Sequence, residues 1–108
     1  MYRKNALKSR LKQGENVLGC WSFLGSPHVT ELLGLAGFDY ILIDQEHGLG
    51  DPSSISLQMQ ALSATETSGI VRVPWNDPIY LKRVLDAGVD GVMIPSIDTA
   101  AEATVEVP

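Results

Sequence analysis

The sequence predicts an α/β fold in which four short parallel strands alternate with helices. Three observations predict it: four apolar runs of strand length, cap-plus-proline patterns between them, and an internal repeat. Strands and helices in this alternation form a parallel sheet with right-handed crossovers. Two architectures remain open, a small open sheet or the first half of an eight-stranded barrel. A whole barrel takes about 250 residues, and this chain has 108.

The chain is expected to begin with a short helix and then a first strand. A helix over Ala6–Lys12 would place Leu7 and Leu11 one turn apart on a docked face, with its basic side chains in solvent. The apolar run at residues 17–23 predicts the strand.

The next two elements are a helix and a strand that is buried on both faces. Ser26 is the predicted N-cap and Pro27 the first helical residue. Gly37 ends this helix, and its buried face follows the i, i+3, i+4, i+7 pattern at Val29, Leu32, Leu33 and Ala36. The unbroken apolar run Tyr40–Asp44 predicts the second strand, whose carboxyl end opens into a polar loop.

The segment after that loop is ambiguous between helix and strand. Asp51 and Pro52 repeat the signal for a helix start. The following apolar residues fit a strand by alternation or a helix by spacing, and they are Ile55, Leu57, Met59, Ala61 and Leu62. The length of the segment and its cap favour the helix.

The last elements repeat the same plan. A third strand is predicted at residues 70–73 and a fourth at residues 91–94. A helix between them starts at Asp77 and Pro78, and one of its faces is made of Leu81, Val84, Leu85 and Gly88. A final helix is expected to begin near Thr99.

Residues 20–44 and 71–95 align with each other at an offset of 51, the length of two strand–helix units. Trp21 falls on Arg72 in this alignment. Equivalent positions near strand ends lie at the same end of a parallel sheet, so the Trp21 and Arg72 side chains are expected to lie close together there.

Charge is distributed unevenly along the chain. Five of the eight basic residues lie in the first twelve positions, whereas all thirteen acidic residues come from Glu15 onward. The body has only Arg72, Lys82 and Arg83 as cations, so a nucleic acid is not expected as a partner. No apolar stretch approaches the roughly 20 residues of a membrane helix. The single Cys20 cannot form an internal disulfide, so a reducing cytoplasm is the expected location.

Two carboxylates and an imidazole directly follow the second strand. Asp44 and Glu46 point the same way in an extended chain, and His47 can turn in from the loop. A carboxylate beside His47 would hold its tautomer and raise its basicity, as a general base requires. The alternative is a polar loop that only caps the next helix.

An arginine lies between valines in the third predicted strand. Because Arg72 keeps its charge when buried, it must face an anion. Its planar fork suits a carboxylate or an enolate oxygen. A structural ion pair with Asp44 or Glu46 is the alternative, and Trp21 lines either a substrate pocket or the core.

Several ordered motifs together closely resemble the HpcH/HpaI aldolase family, the 2-keto-3-deoxy acid and 4-hydroxy-2-oxoacid aldolases. The resemblance runs from Asn5 to Glu102, and its motifs are Gly19-Cys20-Trp21, Ser26-Pro27, Ala36-Gly37-Phe38-Asp39, Ile43-Asp44-Gln45-Glu46-His47 and Val71-Arg72-Val73-Pro74-Trp75-Asn76-Asp77-Pro78. It implies a (β/α)8 TIM barrel of which this chain covers the first four β/α units, after an N-terminal helix. It also implies metal-dependent cleavage of a carbon–carbon bond to give pyruvate and an aldehyde.

The resemblance assigns roles to five residues. His47 corresponds to the catalytic histidine and Asp44 to the carboxylate paired with it, so that the two activate a water or hydroxyl as base. Arg72 corresponds to the arginine that binds the pyruvate oxygen and stabilises the enolate. Trp21 resembles a pocket residue, and Glu46 a group near the water molecules of the metal without being a direct ligand.

The resemblance also implies a divalent metal: Mg2+, Mn2+ or Co2+. Its direct ligands come from later strands of the family fold and are expected beyond residue 108. Residues 1–108 would then be the N-terminal half of one barrel domain, truncated at Val107–Pro108 and inactive alone. The alternative is that Asp44, Glu46 and His47 hold a metal themselves.

Two other functions remain open. One is a citrate-lyase-like carbon–carbon lyase acting on a CoA ester, and the other is a non-catalytic α/β domain whose sheet edges associate. The expected partners are a small 2-oxo acid and an aldehyde, without nucleic acid or membrane, and the full-length form is expected to be a homo-oligomer. The sequence does not identify the aldehyde or the preferred metal.

Overall fold

The computed structural model describes residues 3–105, which form one parallel sheet covered by helices. The elements in chain order are α1 (Ala6–Lys12), β1 (Gly19–Ser22), α2 (Pro27–Leu35), β2 (Tyr40–Asp44), α3 (Pro52–Leu62), β3 (Ser68–Arg72), α4 (Pro78–Asp86), β4 (Gly91–Met93) and α5 (Ala100–Val105). The strands lie in the order β1-β2-β3-β4, and all three pairings are parallel. The predicted α/β fold, with four β/α units after an N-terminal helix, is confirmed. The truncation expected at Val107–Pro108 lies outside the described residues.

Three helices begin as their cap-plus-proline patterns predict. The side chains of Ser26, Asp51 and Asp77 accept hydrogen bonds from backbone amides in the first turns of α2, α3 and α4. Each cap is followed by a proline, whose missing N–H costs nothing at this position. The ambiguous segment after Asp51 is therefore a helix. β2 has the predicted bounds, β1 and β4 are shorter than predicted, and β3 begins two residues and ends one residue before its predicted bounds.

The core lies between the sheet and the helices. Alternate strand residues point to the helical layer, and they pack there with buried residues of α3 and α4. The fully buried members of this cluster include Ile41, Ile43, Val71, Ile55 and Val84. Residues of the opposite parity therefore point to the other face of the sheet, where β2 and β3 carry Asp44 and Arg72 side by side.

The buried face of α2 differs from the prediction. Leu32 is 67% exposed and Ala36 is exposed as well, whereas Thr30 and Gly34 are buried. Thr30 donates a hydrogen bond to Gln58 of α3 at 2.7 Å. A Cβ on Gly34 would lie 2.9 Å from the side chain of Leu62. Close packing of α2 on α3 thus buries a small polar face and leaves the leucine outside.

Two further leucines are more exposed than predicted. Leu7 is buried, but Leu11 is half exposed, so α1 docks through one of its two leucines. In α4, Leu81 and Val84 face the core while Leu85 is exposed. In both helices, fewer of the apolar side chains are buried than the apolar spacing predicts.

None of the helices in residues 3–105 is both long and apolar enough to cross a membrane.

Candidate active site

Asp44 is the centre of the polar cluster at the carboxyl end of β2. The residue is 1% exposed, and five N–H donors converge on its carboxylate. Oδ1 accepts from the backbone amides of Glu46 and His47, both at 2.9 Å, and from Arg72 Nε at 3.3 Å. Oδ2 accepts from Trp21 Nε1 at 2.9 Å and from Arg72 Nη2 at 2.5 Å. The carboxylate therefore joins β1, β2, β3 and the loop after β2.

The surroundings of Asp44 keep it ionised. Burial alone would raise its pKa, but the hydrogen bonds from Arg72, the His47 amide, Trp21 and the Glu46 amide outweigh burial and hold the pKa of Asp44 far below its usual range. The hydrogen bond to Asp44 correspondingly raises the pKa of Arg72. The pair is a fixed cation and anion and does not exchange protons near neutral pH.

Arg72 lies at the end of β3, in register with Asp44 on β2. Its Nη1 lies 3.3 Å from Glu46 Oε1, so the guanidinium contacts two carboxylates. The predicted structural ion pair is thus present with both acids. A guanidinium has five N–H groups. Contacts with Asp44 and Glu46 use three of them, so among the described residues two remain available to a ligand. The guanidinium carbon also lies 4.9 Å from the centre of the Trp21 ring, a cation–π contact.

The imidazole of His47 contacts a different carboxylate from the one predicted. His47 Nε2 lies 3.3 Å from Glu46 Oε1, whereas Asp44 binds only the backbone amide of His47. The direct pairing of Asp44 with the histidine ring is therefore wrong in this structure. The reason is geometric, because both oxygen atoms of Asp44 already accept from Arg72, Trp21 and the loop amides. The His47 side chain is 68% exposed and faces the open side of the cluster.

The loop that carries His47 is held in place by contacts that the sequence analysis did not identify. The backbone amide of Gln45 donates to the carbonyl of Arg72 at 2.8 Å, and Tyr80 of α4 donates its hydroxyl to Gln45 Oε1 at 2.9 Å. A Cβ on Gly48 would lie 2.2 Å from the carbonyl oxygen of Asp44. Only glycine allows this turn to close on the end of β2.

Phe23 is a further residue that the sequence analysis missed. Its ring stacks on Trp21, with the ring centres 6.2 Å apart and the planes 25° apart. The available signal was its position two residues after Trp21, which places both side chains on one side of an extended chain.

The described residues do not by themselves form a divalent-metal site. Within residues 3–105, no group of three or more His, Cys, Asp or Glu side chains is placed to hold a metal ion. Asp44 has no oxygen lone pair left for a cation, since five donors occupy its carboxylate. Within residues 3–105 the structure therefore does not support the alternative that Asp44, Glu46 and His47 hold the metal directly.

Comparison with known proteins identifies relatives of this arrangement. Residues 17–107 match the model of a family described as HpcH/HpaI aldolase/citrate lyase. The chain is 43% identical over 99 residues to a protein of Salmonella paratyphi A named 5-keto-4-deoxy-D-glucarate aldolase. That match covers 92% of this chain and 39% of the relative.

Two solved structures with a similar fold carry the same family name. One is an HpcH/HpaI aldolase/citrate lyase family protein from Burkholderia cenocepacia, with a TM-score of 0.88 and 38% identity over 94% of this chain and 41% of the other. Another is an HpcH/HpaI aldolase from Desulfitobacterium hafniense, with a TM-score of 0.85 and 29% identity over 94% of this chain and 39% of the other. This chain thus spans about two fifths of the length of these relatives.

Proposed function

Because the chain belongs to the HpcH/HpaI aldolase/citrate lyase family, we propose that its natural polypeptide is a metal-dependent class II aldolase. It cleaves a 2-keto-3-deoxy or 4-hydroxy-2-oxo acid into pyruvate and an aldehyde. One observation carries the proposal: a partly buried arginine contacts two carboxylates at the carboxyl end of a parallel strand, with two N–H groups left for a ligand. Active sites of β/α barrels lie at this end of the strands.

Arg72 is the electrostatic element of the proposed reaction. Cleavage of the bond between carbons 3 and 4 of a 4-hydroxy-2-oxo acid sends the electron pair toward the 2-oxo oxygen, where enolate charge develops. An N–H group of Arg72 donates to that oxygen, and because Asp44 and Trp21 already hold the guanidinium, little reorganisation accompanies the reaction. Asp44 itself is a positioning residue in this proposal, since its oxygen atoms face Arg72, Trp21 and the loop.

His47 is the proposed base. The 4-hydroxyl must lose its proton as the aldehyde forms, and the exposed imidazole accepts that proton directly or through a water molecule. Glu46, 3.3 Å from Nε2, orients the ring and stabilises the imidazolium that results. Trp21 forms a wall of the proposed substrate pocket next to Arg72.

A divalent metal, Mg2+, Mn2+ or Co2+, is part of the proposal and would add positive charge near the enolate. Since residues 3–105 contain no set of ligands for it, the proposal assigns its direct ligands to chain outside residues 1–108, with Glu46 near its water molecules. Residues 1–108 are then the N-terminal half of one barrel domain and are inactive alone. The full-length form is proposed to be a cytoplasmic homo-oligomer, as the resemblance to the family implies.

The test uses the natural polypeptide that contains residues 1–108, expressed over its entire length and assayed with Mn2+ or Mg2+. Pyruvate release from a 4-hydroxy-2-oxo acid is measured for the parent and for Arg72→Ala and His47→Ala. Each variant is expected to lower kcat by about 100-fold or more. Arg83→Ala, which removes an exposed arginine of α4, is the matched control and should keep full turnover.

Unchanged turnover in Arg72→Ala and His47→Ala would refute the proposal. Arg72→Lys guards against a folding defect, because it keeps the charge and loses the planar fork, so kcat should still fall in a folded protein. Residues 1–108 assayed alone should show negligible metal-dependent cleavage. Preferential cleavage of a CoA ester would assign the polypeptide to the citrate-lyase branch of the family.

A further inference from the structure

The loop that follows β2, residues 45–51, carries the proposed base and is called the His47 loop below. Glu46 Oε1 lies 3.3 Å from His47 Nε2 and 3.3 Å from Arg72 Nη1, so a single carboxylate oxygen contacts both the imidazole and the guanidinium. The His47 side chain is 68% exposed, and packing therefore fixes it only weakly. The distance between the proposed base and Arg72 thus depends on where the backbone of this loop lies.

Gln45 is the buried residue of the His47 loop, at 7% exposure. Its backbone amide donates to the carbonyl of Arg72 at 2.8 Å, and its Oε1 accepts from the hydroxyl of Tyr80 at 2.9 Å. A Cβ on Gly50 would lie 3.4 Å from Gln45 Nε2, so the far end of the loop closes over the amide group. The loop is thus attached through its main chain to β3 and through a side chain to α4, two elements that follow each other in the sequence.

Tyr80 lies in the first turn of α4 and is itself fixed in place. Its partly buried ring packs against the hydrophobic core, and the ring centre lies 5.8 Å from that of Trp75, with the planes 47° apart. The start of α4 is held by its cap, since the Asp77 side chain accepts from the amide of Ile79. Burial raises the pKa of the Tyr80 phenol, and the nearby charge of Asp51 raises it further, so the hydroxyl remains a hydrogen-bond donor near neutral pH. The hydroxyl therefore reaches the His47 loop from a rigid helix.

We propose that Tyr80 is a positioning residue that acts on the proposed base through Gln45. Its hydroxyl holds the His47 loop where the imidazole reaches the 4-hydroxyl while Arg72 binds the 2-oxo oxygen. The inference rests on the proposed aldolase function and deepens it by assigning what holds the base in place. Without the hydroxyl, Gln45 Oε1 loses its donor in a buried position, so the loop moves to satisfy it. Arg72 keeps its contacts with Asp44 and Trp21, and binding at the guanidinium is retained.

The experiment uses the natural polypeptide over its entire length, with Mn2+, and follows pyruvate release from a 4-hydroxy-2-oxo acid. Tyr80→Phe keeps the ring against Trp75 and removes only the hydroxyl, so it should lower kcat about tenfold through a small displacement of the base. KM for the substrate and Ki for oxalate, a planar dianion shaped like the pyruvate enolate, should change by less than about twofold because Arg72 is still held. Tyr40→Phe removes a hydroxyl at the amino end of β2 and is the matched control, with parental kcat.

A double-mutant cycle separates positioning through Gln45 from a packing defect. Gln45→Met keeps the length of the side chain and removes the acceptor, so it should give the same fall in kcat as Tyr80→Phe. Because both variants break one contact, the double variant should be slower than either single variant by less than about twofold. Two independent packing defects would instead multiply their effects.

A loss confined to kcat and shared by the single variants and the double variant supports the inference. Parental kcat in Tyr80→Phe, losses that multiply in the double variant, or a KM and Ki that rise together with the fall in kcat would overturn it and leave the aldolase function standing. A parent that releases no pyruvate overturns both.

Discussion

Replacing Asp44 by asparagine tests whether this carboxylate organises the whole site. In Asp44→Asn the side chain keeps its size, but one oxygen atom becomes an NH2 group and the charge is lost. If the NH2 group takes the place of Oδ2, it faces two donors, Trp21 Nε1 and Arg72 Nη2, in a buried position. Arg72 then keeps the hydrogen bond from Nε to Oδ1, now an uncharged amide oxygen, and Glu46 is its only remaining anion among residues 3–105, both at 3.3 Å.

The expected loss of folding free energy is about 3 kcal/mol, at the lower end of the range for breaking a buried ion pair, because Glu46 still contacts Arg72. It is measured by chemical denaturation of the natural polypeptide at pH 7. Asp86→Asn, at an exposed position of α4, is the control and should change stability by less than about 0.5 kcal/mol.

The pH dependence gives an independent check on the same side chain. The folded-state pKa of Asp44 lies below its ordinary value, which is about 3.9 in an unfolded chain. Its stabilisation is therefore fully present above about pH 5 and is lost as the pH falls through the depressed folded pKa. The stability difference between the parent and Asp44→Asn should shrink over that acidic range. A difference below about 0.5 kcal/mol at pH 7, or one that does not change on acidification, would refute the reasoning.

Two further substitutions separate the contacts around Asp44. Trp21→Phe keeps an aromatic ring beside Arg72 but removes the Nε1–H donor to Asp44. Denaturation should therefore show a loss of folding free energy of about 1.5 kcal/mol, the value of a hydrogen bond to a charged group. Trp75→Phe, at an exposed tryptophan, is the control, and an equal effect in both variants would contradict the assignment. Gly48→Ala forces a Cβ to within 2.2 Å of the Asp44 carbonyl oxygen and should cost about 1–3 kcal/mol. Its loss of turnover should exceed that of the control Gly91→Ala, whose added methyl group meets only ordinary contacts with Ile70 at 3.6 and 3.8 Å. Parental activity and stability in Gly48→Ala would show that the loop relaxes freely.

Much of the fold could be predicted because its signals are local. The cap-plus-proline patterns at Ser26, Asp51 and Asp77 mark helix starts whose hydrogen bonds all lie within one turn of the chain. The apolar run Tyr40–Asp44 is buried as predicted, since a central parallel strand has helices or other side chains on both faces. The predicted closeness of Trp21 and Arg72 is confirmed as well, because the repeat gives both residues the same direction from the sheet.

The buried faces of the helices could not be predicted from apolar spacing alone. Thr30 and Gly34 of α2 have little apolar surface, but a hydroxyl that meets Gln58 and a missing Cβ allow α3 to approach closely. Leu32 is excluded by that same approach. Which stripe of a helix is buried depends on the partner helix, and the partner is distant in the sequence.

The sequence by itself determined which groups meet at the carboxyl end of the sheet, since strand order and alternation follow from local patterns. Only the tertiary structure decided how those groups pair. The register of β2 against β3 brings Arg72 beside Asp44 across 28 positions of chain. With the Asp44 carboxylate saturated by Arg72, Trp21 and two loop amides, Glu46 is left to contact the imidazole of His47. Pairing of this kind depends on the distances between side chains and on how many hydrogen bonds an oxygen atom can accept. The distances are set by the tertiary structure and do not follow from the sequence pattern.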